Sequence, residues 1–115
     1  MILKFKLKDA KHFGWEGLKG WEFNSKEDFE RTSAAMFEVT GKHGKVKSLA
    51  SDRVYLILGG KGKFIINEEV VLVEKNDVII VPKNTPYDYK TTKGKLRLFL
   101  VHAPAFDNTK EIKLE

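Results

Sequence analysis

The chain has no cysteine and no glutamine, and only two methionines and three prolines among 115 residues. Without cysteine it can form no disulfide, no thiolate metal site and no cysteine nucleophile. Long apolar runs are missing too. Stretches such as Val78–Val81 are far shorter than the ~20 residues needed to cross a bilayer, so no membrane role is expected. The N-terminus alternates Leu3, Phe5 and Leu7 with Lys4, Lys6 and Lys8. That is a strand pattern over residues 1–8 and not the apolar core of a signal peptide, so a cytoplasmic location is expected. The long helical periodicity of an α/β protein does not occur.

Apolar residues make up 42% of the chain and charged ones 32%, which suits one globular domain over residues 1–115. The net charge of +5 favours anionic partners. The eighteen lysines, however, are dispersed and mostly alternate with apolar residues. Nucleic-acid binders gather their cations into a stripe interleaved with aromatics, so no nucleic-acid partner is expected. Abundant Lys and Glu with few thermolabile side chains point to a heat-adapted source.

Residues 9–24 hold three glycines, His12, Trp15 and Trp21 and read as an irregular flap. Ser25, with Asp28 three positions on, predicts a capped short helix over Lys26–Arg31. From Ser33 onward short strands follow one another: Ala34–Thr40, Lys45–Leu49, Arg53–Leu58, Lys63–Ile66, Val70–Glu74, Val78–Val81, Tyr87–Thr91 and Leu96–His102. Gly59, Gly60 and Gly62 connect two of them as hairpin residues. They lead into a strand and so present no helix N-terminus to a phosphate. Beyond Pro104 the chain reads as a polar, partly ordered tail. The expected fold class is all-β, a sandwich or barrel with a short N-terminal helix.

Residues 41–91 resemble the cupins, a family of double-stranded β-helix or jelly-roll barrels. Gly41 opens the first cupin motif and Gly60 closes it with the spacing kept. Asn76 and Pro82 stand at the glycine and proline of the second motif, and the run Asn76–Pro82 reads like cupin sequence. The resemblance implies the barrel, and cupins are often dimers, so a homodimer is expected. It also places the family's four metal ligands on Lys47, Leu49, Arg53 and Tyr87. Two cations, an alkyl group and a neutral phenol are a poor ligand set for a divalent ion. No metal and no other cofactor is therefore expected. His12, His43 and His102 share no spacing and read as structural.

If Arg53 faces inward, strand alternation brings Tyr55 and Ile57 in with it. The motif positions do the same for Lys47, Leu49, Tyr87 and Tyr89. The inferred ligand-binding lining is Lys47, Leu49, Arg53, Tyr55, Tyr87 and Tyr89. Its cations and aromatic faces suit a small anionic molecule such as a sugar phosphate, nucleotide sugar or aromatic acid. A buried cation needs a partner, either that anion or a nearby carboxylate from Glu38, Asp52 or Asp88. Two further readings stay open. One is a metal-free sugar epimerase or isomerase with Tyr87 as acid and no catalytic base yet identified. The other is a structural or regulatory module whose barrel is filled by side chains. Trp15 and Trp21 read as packing residues.

Overall fold

A computed structural model describes residues 2–115. Nine antiparallel strands form one curled sheet: β1 Lys11–Trp15, β2 Leu18–Glu22, β3 Ser33–Val39, β4 Val46–Ser48, β5 Asp52–Ile66, β6 Glu69–Glu74, β7 Val78–Val81, β8 Tyr87–Ala103 and β9 Glu111–Lys113. The all-β barrel expected from the sequence is the fold observed.

Two long bent strands organise it. β5 pairs with β6, β7 and β8, while β8 also pairs with β3 and β4. What the sequence presents as separate short strands on either side of Gly59–Gly62, and on either side of Gly94, are halves of β5 and β8. Register irregularities between Ile57 and Gly62 mark the bend, where the extra twist of bulged strands lets one strand pair with β7 before it and β6 after it.

Strand alternation divides the faces. Tyr55, Ile57, Phe64, Tyr87, Tyr89, Leu96, Leu98 and Leu100 are buried and form the core with Leu18, Phe37, Val39 and Val81. On the opposite face of the same strands Val54, Leu56, Val78 and Ile80 are 37–62% exposed.

Three expectations are corrected. Residues 2–6 form no strand, and a short 3-10 turn, Leu7–Asp9, follows them. The supposed flap is the β1–β2 hairpin. Lys26–Arg31 is not helical. Asp28 does reach back to the Ser25 amide (2.9 Å), but that bond closes a turn with no amphipathic helix behind it to continue. The tail is partly ordered by strand pairing, because β9 adds to β4.

Candidate functional site

The barrel interior holds an aromatic and polar cluster drawn from β5, β8, β9 and the loop before β4. On the inner face of the β5–β8 ladder Arg53 stands opposite His102, Phe64 opposite Tyr89 and Ile66 opposite Tyr87. Arg53 is only 3% exposed. Its Nη1 donates to the Tyr87 hydroxyl, and Tyr55 donates to the same oxygen at 2.9 Å. Its Nη2 makes an ion pair with Glu111 Oε1.

That carboxylate is not one of the three the sequence suggested. Glu38 pairs with Lys95 and Arg97. Asp52 accepts from the Lys83 amide (2.9 Å). Asp88 accepts from the Gly44 and Tyr89 amides (2.8 and 2.7 Å). Glu111 arrives instead from β9, aligned with Ser48 of β4.

The structure brings Arg53, Tyr55, Tyr87 and Tyr89 together and leaves Lys47 and Leu49 outside. On β4 it is Val46 that packs against the core and Ser48 that is buried. Alternation then turns Lys47 to the other face, one residue out of the expected register. Leu49, past the end of the strand, is 43% exposed.

His43 was set aside in the sequence, yet it sits on this cluster. Its ring stacks on Tyr89 with centroids 4.6 Å apart and lies near parallel to Tyr87 and Phe37. Trp15, from the β1–β2 hairpin, meets it edge-on at 5.5 Å and donates its indole N–H to the His43 carbonyl. Trp21 stays outside this group and packs against His12. The His43 Nδ1 lies 2.8 Å from the Gly44 carbonyl. A carbonyl only accepts, so Nδ1 carries the proton and Nε2 is left as the basic nitrogen. The Asp88 carboxylate, by holding the Gly44 amide, fixes that turn.

Burial sets the protonation of the cluster. It pushes Tyr55 and Tyr89 well above the ordinary phenol range and raises Tyr87 as well, although Arg53 pulls Tyr87 down. It lowers His43, which nearby Arg53 lowers further. His102 is driven well below its usual value by burial, then by Arg53 and His43. Burial opposes the Arg53 charge, but the Tyr87 and Tyr55 oxygens and Glu111 more than offset it. At neutral pH the phenols and imidazoles of the interior are therefore neutral, around the Arg53–Glu111 ion pair.

Several buried polar atoms of this cluster find no hydrogen-bond partner among the described residues: Arg53 Nε and Nη2, Glu111 Oε2, His102 Nδ1 and the Tyr89 hydroxyl, Nη2 having only its ion pair with Glu111. Such atoms are rare in folded interiors, and each calls for a water or a ligand. A divalent metal fits poorly. Among the described residues no three His, Asp or Glu side chains converge. The Arg53 guanidinium lies within the cluster, against the Tyr87 hydroxyl, and its positive charge opposes a cation there.

No protein-family model matches the sequence, and no curated protein matches it. Solved structures do match. Pac13, described as a unique nucleoside dehydratase, superposes with a TM-score of 0.87 at 23% identity over 100% of this chain and 92% of its own. Three variants of the Streptomyces protein, one with a histidine changed to glutamine and two with a tyrosine changed to phenylalanine, match similarly, each with uridine. The cupin domain of Schizosaccharomyces pombe Cnp3 matches with a TM-score of 0.75 at 23% identity, over 90% of this chain and 75% of that one. An oxalate decarboxylase of Lactobacillus farciminis, in its formate complex, matches with a TM-score of 0.81 at 18% identity, over 93% of this chain and 34% of that one.

Proposed function

We propose that this chain, a barrel with the fold of the cupin superfamily, binds a small ring- or sugar-bearing molecule in its interior and carries out metal-free proton transfer on it. One observation carries the reading. His43, its tautomer set by Gly44, offers a neutral basic nitrogen beside stacked tyrosines. A general base needs that state near pH 7. The phenols stay protonated, so they can donate. Tyr87 accepts from both Tyr55 and Arg53, and a phenolate formed there would be stabilised by both donors.

In an elimination of water, His43 Nε2 would take a proton from a substrate carbon. The departing hydroxyl would take one from a phenol, leaving an alkene and water, and the imidazolium would return its proton to the phenolate. Likeness to a nucleoside dehydratase supports this reaction class. The same groups serve an epimerase or isomerase with Tyr87 as acid. The expected ligand classes, sugar phosphates, nucleotide sugars and aromatic acids, belong in one screen with nucleosides. The proposed ligand contacts are His43, Arg53, Tyr55, Tyr87, Tyr89 and Glu111.

The test is ligand-observed NMR and thermal shift against that panel, followed by turnover with whatever binds. His43→Gln should keep binding and lose at least about a hundred-fold in turnover. The proposal fails if nothing in the panel binds, or if His43→Gln turns over normally. Failure would favour the filled-barrel module. Its support is that Tyr55, Tyr87, Tyr89 and Phe64 are each no more than 1% exposed.

No helix among the described residues is long and apolar enough to cross a membrane. The homodimer remains a proposal, supported by the exposed apolar row on β5 and β7.

A further inference from the structure

The ion pair of Arg53 and Glu111 runs between Nη2 and Oε1. A side-on carboxylate would engage two nitrogens of the guanidinium fork. Here Nη2 meets Glu111 Oε1 as an ion pair without hydrogen-bond geometry, Arg53 Nε is an unused donor and Glu111 Oε2 an unused acceptor. The two side chains are only 4% and 13% exposed, so neither atom has ready access to bulk water. Leaving both unmade is costly, and more so because both belong to charged groups.

A phosphate cannot satisfy the two. A phosphate monoester is mostly the dianion at neutral pH, and in that form it only accepts, so it can serve Nε but offers nothing to Oε2, whose charge repels it. A hydroxyl both donates and accepts. Two neighbouring hydroxyls complete the set, one donating to Oε2 and the other accepting from Nε. His102 Nδ1 and the Tyr89 hydroxyl add further unpartnered polar positions in the same interior. The electrostatics agree, since the Arg53 charge is already offset by Glu111. An anion entering here would meet no net positive charge to repay its desolvation.

We infer that the Arg53–Glu111 pair is a recognition site for adjacent uncharged hydroxyls, as on a ribose, and that it rejects a phosphate or carboxylate at that position. The inference rests on the barrel-binding reading above. It makes Glu111 a specificity-determining residue.

The experiment is calorimetric titration of the unaltered protein with uridine, 2′,3′-dideoxyuridine and uridine 3′-monophosphate. Uridine should bind at least about ten-fold tighter than either analogue, the size expected for hydrogen bonds to charged groups. In Glu111→Gln the repelling charge is gone, so the gap between uridine and its 3′-monophosphate should narrow. Equal affinity for uridine and the dideoxy analogue overturns the hydroxyl site while leaving barrel binding intact. Tighter binding of the 3′-monophosphate overturns it in favour of an anion site. No binding by any of the three removes the underlying reading as well. If Glu111→Gln does not fold, as judged by circular dichroism, the three ligands with the unaltered protein decide alone.

Discussion

His102 stands opposite Arg53 on the β5–β8 ladder, and burial with two nearby basic groups, Arg53 and His43, keeps its imidazole neutral. This has a consequence for stability. In the unfolded chain the same histidine takes up a proton near its ordinary value of 6.5, whereas the folded chain resists until well below that. The unfolded state then binds more protons, and stability falls as pH falls below about 6.5. The loss approaches about 1.4 kcal/mol per pH unit for one group resisting fully. Urea midpoints should therefore drop between pH 7.5 and 5.5. His102→Leu should show a shallower drop, the remainder coming from His43, whose value is lowered in the same direction. An unchanged slope in the variant would refute the assignment. These residues also show what was legible at this scale. The inward facing of Arg53, Tyr55, Tyr87 and Tyr89 was legible because motif spacing and a period of two fix a face. Glu111 was not, because it comes from a three-residue strand in the tail whose pairing with β4 has no local signature. His43 was missed because its role depends on ring stacking across three segments.

At the scale of elements, glycine chemistry explains the bend that lets β5 pair with both β7 and β6. Gly60 has φ +78, in the left-handed region, and a Cβ there would run into the Lys95 carbonyl of β8. Gly60→Ala combines backbone strain with a clash against main chain, which cannot move away as a flexible side chain would. A cost of about 2–4 kcal/mol is expected, read as a lower urea midpoint at an unchanged m-value. A variant within about 0.5 kcal/mol of the parent would contradict this account of the bend. The sequence marked this connection as a hairpin because Gly59–Gly60–x–Gly62 sits between two apolar runs. It did not show that both runs belong to one strand, since continuity across a bulge is decided by the partner, here β8. The β1–β2 hairpin was hidden for a related reason. Gly20 interrupts any strand pattern, and its bare backbone is covered by the ring of Phe13 from the opposite strand, as aromatics shield glycines in sheets. The one-residue error on β4 came from extending motif register into a three-residue strand, too short for alternation to correct it.

At the scale of the whole molecule, the outer face of the sheet has yet to be accounted for. Ile80, Val54 and Val101 form one cross-strand row, and Val78, Leu56 and Phe99 form the next. Val54, Leu56, Val78 and Ile80 are 37–62% exposed. A contiguous apolar surface on a sheet is an association hazard unless something covers it. A second copy of the chain supplies a matching apolar face by symmetry. Each copy carries a net charge of +5, so like-charge repulsion opposes the contact and salt should strengthen it. Light scattering coupled to size exclusion should give a mass of about twice the 13.2 kDa chain, with the dimer fraction rising with sodium chloride. The double variant Val78→Lys and Ile80→Lys should run as a monomer at every salt concentration and keep its circular dichroism spectrum, because both side chains already point away from the core. An unaltered protein that stays monomeric at tens of micromolar would refute the dimer and leave this face to a different partner.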